Sequence, residues 1–129
     1  MINTGILNPQ ILSLLARVRH TNALVIADRS FPFWPMIETV DVSVVDDLPT
    51  VLQIIRAVCL NHKFTQACMT KEFVKNNFQT TQQKFRVALR GLPATFEPHM
   101  EFKRRVPHAI GLIRTGDTTQ YANTILISG

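Results

Sequence analysis

Apolar residues recur at two different spacings along the chain, and the alternation between them lays out a fold. Ile11, Leu12, Leu15 and Val18 fall at helical spacing. Asn8 and Pro9 stand just ahead of them: a side-chain acceptor for free backbone N–H groups, then a residue whose fixed φ suits a first helical turn. The pattern predicts a helix from Asn8-Pro9 to near Arg19-His20. Ala23 to Ala27 is a short unbroken apolar run bounded by polar residues. It reads as an interior strand of a sheet covered on both faces. Asp28 follows at its carboxyl end.

Phe31-Pro32-Phe33-Trp34-Pro35 carries three aromatics, and its two prolines rule out regular structure, so a rigid loop is expected. Val40 to Val45 is a second strand candidate, punctuated by Asp46-Asp47-Leu48-Pro49-Thr50. Leu52, Ile55 and Ala57-Val58 then suggest a helix. Phe64 to Met69 is a third strand candidate. Thr70 is placed to cap a helix running through Phe78, with Glu72 in its first turn, where a negative charge is favourable. Thr80 and Gln83 have capping-box spacing before a helix to Leu89, which Gly91-Leu92-Pro93 ends. Thr95 to Glu97 reads as a short strand, and Met100 to Val106 as a short helix stopped near Pro107. Ala109 to Arg114 is a strand, Thr115-Gly116-Asp117 a turn, and Tyr121 to Ser128 contains the final strand. Strands alternate with helices, which predicts one α/β domain over residues 1–129 without repeats, low-complexity segments or linkers.

A chain of 129 residues with 46% hydrophobic composition has the usual size and core content of one domain. Charged residues are only 18%, which leaves weakly polar surface suited to subunit contacts. The net charge of +5 can draw nucleic acid, a membrane surface or anionic metabolites. Its densest cluster, Lys103-Arg104-Arg105 beside Phe102, reads as a solvated helix face, a phosphate-recognising patch or a subunit contact. Without a reading helix or an aromatic-basic stripe, nucleic acid is not an expected partner. Cys59 and Cys68 lie in apolar stretches with no C-x-x-C, as buried free thiols of a reducing compartment do, and their positions leave a disulfide between them open. The chain does not open on a basic segment and a long apolar run. No apolar run approaches the roughly 20 residues that span a bilayer. A cytoplasmic protein without membrane association is expected.

His20 and Asp28 bracket the first strand. A straight five-residue strand spans about 17 Å, so spacing alone does not bring them together. Asp28 stands where open α/β sheets place their ligands, at the carboxyl end of an interior strand. His62, in the polar turn Asn61-His62-Lys63, reads as structural or solvent-exposed, and His108 after Pro107 leaves both roles open. No two histidines have H-x-x-x-H or H-E-x-x-H spacing, so no metal site is predicted. The absence of G-x-S-x-G and of a phosphate-cradling glycine loop argues against serine hydrolases, kinases and dehydrogenases, and no cofactor is expected. Tyr121 and Asn123 share a face if the last strand has already begun, and would offer a phenol and an amide to a polyhydroxy ligand.

Several spaced segments carry a resemblance. The start Gly5-Ile6-Leu7-Asn8 is followed by His20-Thr21-Asn22, an apolar strand, Asp28 and then Phe31-Pro32. His99-Met100-Glu101-Phe102-Lys103 matches an H-x-x-F-K segment. The closing stretch Ile113-Arg114-Thr115-Gly116-Asp117 followed by Tyr121-Ala122-Asn123-Thr124-Ile125-Leu126 is the strongest part. Together they resemble the D-ribose pyranase and L-fucose mutarotase family, closer to the ribose pyranase branch, nearly end to end.

The resemblance implies a three-layer α/β/α domain with a central mixed sheet. It implies cofactor-free exchange of ring or anomeric forms of a free monosaccharide. His20 would be the principal proton donor and acceptor, and Asp28 would orient or electrostatically support the site. His99 would be a second polar group on the sugar. Tyr121 and Asn123 would bind its hydroxyls, with Tyr121 assisting proton transfer. It further implies a homo-oligomer, a pentameric ring or a decamer, with sites near subunit boundaries that assemble catalytic pieces from two chains. The family usually follows the aspartate with small residues, as in D-A-G-[LF]-P. Here Arg29-Ser30-Phe31-Pro32-Phe33-Trp34-Pro35 stands instead, and Asp47-Leu48-Pro49 replaces the usual G-[VL]-P. Arg29, Phe33 and Trp34 become candidate substrate contacts that would narrow the pocket, stack on a sugar or block the site. The rival reading is a non-catalytic sugar-binding or transport-associated protein using the same pocket.

Overall fold

The structure is a computed structural model and describes residues 5–129. The first helix, α1 (Pro9–Arg17), begins as the sequence predicts: the Asn8 side chain accepts the Ile11 N–H at 2.9 Å, and Pro9 occupies the first turn. Ile11, Leu14 and Leu15 form its buried stripe. The strand β1 (Ala23–Ala27) follows with the predicted bounds. After β2 (Glu38–Asp41), α2 (Val51–Asn61) and β3 (Phe64–Thr70) come two short helices, α3 (Lys71–Asn76) and α4 (Gln79–Ala88). The chain closes with β4 (Ala94–Glu97), α5 (His99–Arg105), a 3₁₀ turn (Val106–His108), β5 (Gly111–Arg114) and β6 (Thr124–Ser128).

The six strands make one mixed sheet in the order β2-β5-β1-β6-β3-β4. β1 runs parallel to β5, β5 parallel to β2, and β3 parallel to β4, while β6 is antiparallel to both β1 and β3. Side chains alternate across the pleat. Leu24, Ile26, Ala67, Met69, Ile113 and Leu126 face one core with α1 to α4. Val25, Ala27, Cys68, Leu112 and Ile125 face a second core with Phe31, Phe102 and Val106 from the loop after β1, from α5 and from the 3₁₀ turn. β1 therefore lies between β5 and β6 and is covered on both faces, which explains its unbroken apolar run. The fold is α/β with a central mixed sheet flanked by helices, as expected.

Three local expectations need correction. The second strand is Glu38–Asp41 rather than 40–45. Its partner β5 ends at Arg114, so after the Val42 N–H reaches the Arg114 carbonyl at 3.0 Å no ladder remains. Val44 and Val45 turn outward, exposed, and the Val44 N–H pairs with the Leu48 carbonyl at 3.0 Å. Thr80 does not cap α4. The helix starts at Gln79, with Phe78 as its capping residue and no side-chain bond there, and Gln83 accepts from Arg86 instead. Tyr121 precedes β6 and has a φ of 55°, so Tyr121 and Asn123 do not share a strand face.

Candidate functional site

The sheet topology brings the site together. β1, β3, β4 and β5 all point their carboxyl ends toward one edge, and the antiparallel β6 begins there. At that edge lies a cavity of about 400 Å³, open to solvent, lined by Asp28, Arg29, His99, Tyr121 and Asn123 among others. This volume is in the range of small-molecule sites. Each of these residues follows or precedes a strand that the core holds rigidly. Asp28 comes directly after β1, His99 opens α5 two residues beyond β4, and Tyr121 and Asn123 lead into β6.

Asp28 is buried, and its backbone N–H donates to the Asn123 Oδ1 at 2.7 Å. Its own Oδ1 accepts the Ser30 N–H at 3.0 Å. Burial pushes the Asp28 carboxyl above its ordinary value. Backbone donors at Ser30 and Phe31 oppose the shift, and the nearby Asp117 charge adds to it. Asn123 is itself 2% exposed, so a rigid amide fixes the end of β1.

His99 is half-buried, and its ring meets that of Tyr121 edge-on, with centroids 5.2 Å apart. It lies nearly parallel to Phe102 at 6.4 Å and edge-on to Phe31 at 6.3 Å. Its Nδ1 is buried and has no hydrogen-bond partner among the described residues. Burial pushes the His99 imidazole below the ordinary histidine value, with Lys103 acting in the same direction and Glu72 and Asp28 opposing. An imidazole whose neutral form burial favours, a buried carboxyl, a phenol and an amide on one cavity can exchange protons with, and hydrogen-bond, a polyhydroxy molecule.

Of the other predicted residues, only Arg29 reaches the cavity. His20 is exposed, in the turn before β1, at the opposite end of that strand from Asp28. Arg29 does line the cavity, and its guanidinium is paired with Asp46 at 2.8 Å. Phe33 is exposed and Trp34 packs on Phe31 with centroids 6.2 Å apart, and neither lines this cavity. His62 caps the end of α2 and shares a hydrogen bond with the Ser128 hydroxyl at 2.8 Å, a structural place. In the basic cluster, Arg104 pairs with Glu101 and Arg105 with Glu97. Cys59 and Cys68 are free thiols. Among the described residues no group of three His, Cys, Asp or Glu side chains is arranged to hold a metal ion, and no helix is long and apolar enough to cross a membrane.

Sequence reasoning missed the segment Asp117 to Gln120, which forms one wall. Asp117 is buried, and its carboxylate accepts the Thr119 N–H at 2.7 Å and the Val51 N–H at 2.8 Å, so it ties the wall to the start of α2. Thr118 donates through its N–H and hydroxyl to Asp47 at 2.9 and 2.8 Å. The signal was present: Thr115-Gly116-Asp117 follows the carboxyl end of β5, as Asp28 follows that of β1.

The sequence pattern of the RbsD / FucU transport protein family matches residues 1–129. A D-ribose pyranase of Geobacillus kaustophilus is 36% identical over 129 residues, which cover 100% of this chain and 94% of that protein. A D-ribose pyranase of Chromobacterium violaceum is 36% identical over 125 residues, 97% of this chain and 95% of the relative. The structure of Bacillus subtilis RbsD complexed with D-ribose aligns with a TM-score of 0.91 at 29% identity, covering 100% of this chain and 98% of that one. The fucose mutarotase of Streptococcus pneumoniae, solved with L-fucose, has the same fold, with a TM-score of 0.81 at 18% identity over 95% of this chain and 92% of that one. By a match that runs its full length, the chain belongs to the RbsD / FucU family.

Proposed function

We propose that the protein is an isomerase that interconverts the ring or anomeric forms of a free monosaccharide of the ribose or fucose type, by proton transfer on histidine and without a cofactor. One observation carries the reading: Asp28, His99 and the pair Tyr121 and Asn123, from three separate segments, converge on one cavity in a chain whose relatives include D-ribose pyranases. A cyclic hemiacetal opens when its anomeric hydroxyl loses a proton and its ring oxygen gains one. Closure on the other face gives the other anomer. Closure through a different hydroxyl exchanges pyranose for furanose. No carbon–hydrogen bond breaks, so positioned acid and base groups suffice, and each such transfer contributes about 10²–10⁴-fold.

In this reading His99, held largely neutral, and Tyr121 handle protons on one side of the sugar. Asp28 orients a neighbouring donor, and the Asn123 amide NH₂, its oxygen accepting the Asp28 backbone N–H, holds a hydroxyl. His20 is the acid/base on the other side. Because it sits at the far end of β1, a second copy of the chain has to supply it, which calls for a ring-like homo-oligomer, a pentamer or decamer, with sites at subunit boundaries. Arg29 contacts the sugar at the rim, and Phe33 and Trp34 act from the same loop across such a boundary. The protein works in the cytoplasm as a single domain over residues 1–129. The test is whether it accelerates exchange between pyranose and furanose, or between α and β, signals of D-ribose and L-fucose in magnetisation-exchange NMR.

A further inference from the structure

His99 owes its place to a residue on another helix. β3 and β4 are parallel neighbours, with Thr70 opposite Glu97 in register. Counting two residues past each strand end reaches Glu72 and His99, so the topology sets these two side by side. The helix α5 begins after Pro98, which offers no side-chain cap, and a proline cannot supply one. The helix α3 has its own cap, because Thr70 Oγ1 accepts the Phe73 N–H at 3.1 Å. Glu72 is therefore free of its own helix end, and both of its carboxylate oxygens accept the His99 backbone N–H, each at 3.1 Å. A carboxylate is favoured at a helix N-terminus, and a charge-assisted bond to backbone is among the stronger kinds.

Among the described residues the His99 ring has no polar partner to hold it: its Nδ1 is buried and unbonded, and its ring packs on those of Phe31, Phe102 and Tyr121. Its orientation therefore depends on where its backbone is fixed. We infer that Glu72 is a positioning residue for the reaction: by capping α5 from α3 it fixes the His99 backbone, and thereby the imidazole, against Tyr121 and the cavity. This rests on the isomerase reading for its catalytic meaning, and on hydrogen-bond geometry alone for the positioning itself.

The experiment compares Glu72→Ala and Glu72→Gln with the parent protein. Two readouts are taken: sugar exchange kinetics by NMR, and the ring resonances of His99 and Tyr121, which sense each other through ring currents at 5.2 Å. Glu72→Ala is expected to lower kcat about tenfold with KM little changed, as a small misplacement of a reacting group does. It should also shift the His99 and Tyr121 resonances. Glu72→Gln keeps an acceptor for the His99 N–H and should restore both. A Glu72→Ala protein that melts earlier but keeps parental kcat and ring resonances would reduce Glu72 to a structural cap and overturn the inference. A Glu72→Gln protein as impaired as Glu72→Ala would overturn the hydrogen-bond basis. Should Glu72→Ala fail to fold, Glu72→Asp, which draws the carboxylate back by one methylene, decides by the same two readouts. If the parent protein exchanges no sugar, the isomerase reading fails, while the ring resonances still decide whether Glu72 positions His99.

Discussion

The side-chain oxygen of Asn123 accepts the backbone N–H of Asp28 at 2.7 Å, joining residues 95 positions apart. Both are buried, and each flanks one of two antiparallel strands that pair from Ala23 opposite Ile127 to Ile26 opposite Thr124. The strand pairing thus delivers the two polar residues to one point, and the hydrogen bond locks them there.

Replacing Asn123 by Ala removes that acceptor and leaves a buried N–H unpaired, a loss of about 1–3 kcal/mol. The midpoint of urea unfolding should fall accordingly, and sugar affinity should fall with it. A parental midpoint would mean that the bond is dispensable to the fold.

Burial holds His99 below the ordinary histidine value, and the Asp28 charge acts against that shift. An NMR titration should therefore place the His99 midpoint below about 6.5, and Asp28→Asn should move it lower still. The sign for stability follows. A histidine with a depressed folded pKa contributes stability that is present above its unfolded pKa, and that contribution is lost as pH falls through the folded pKa. Acidification through this window should weaken the parent protein, and His99→Gln should lessen that dependence. A His99 midpoint above the ordinary value would contradict the burial argument.

The Arg29–Asp46 ion pair is about half exposed on both sides, so it is worth at most about 1 kcal/mol. Arg29→Ala should leave the unfolding midpoint nearly unchanged while altering KM, because Arg29 borders the cavity. A large loss of stability with unchanged KM would remove Arg29 from the substrate contacts.

His20 and the cavity lie at opposite ends of β1, which makes a subunit-sharing test decisive. His20→Ala and His99→Ala proteins, each inactive alone, should regain activity when unfolded together and refolded as mixed oligomers, with roughly a quarter of sites intact. No regain from mixed oligomers would show that one chain's His20 does not serve another's cavity.

The sequence made the scaffold readable where one force dominated. The apolar run Ala23 to Ala27 marked a strand with neighbours on both sides and cores on both faces, and Asn8-Pro9 marked a helix start from local capping chemistry alone. Val40 to Val45 misled because an edge strand lasts only as long as its partner, and β5 stops at Arg114. Thr80 misled because α4 already starts at Gln79, with Phe78 as its capping residue, and Gln82 reaches back to the Val74 and Asn77 carbonyls across the junction with α3, which capping-box spacing does not announce. Within the site, Asp28 was legible from its strand end. Asp117 was equally placed but looked like a turn residue, since its carboxylate reaches 66 positions back to Val51. Tyr121 reaches the cavity through a left-handed backbone conformation that residue type does not announce.

The most direct test of the central claim is magnetisation-exchange NMR on D-ribose and L-fucose, with the parent protein beside His20→Ala and His99→Ala. The account predicts faster exchange between ring or anomeric signals of at least one sugar with the parent, and a loss of most of that acceleration in both variants while their folds persist. Broadened sugar signals without faster exchange would contradict it and leave a binding protein in its place, and full acceleration by both histidine variants would contradict the histidine chemistry.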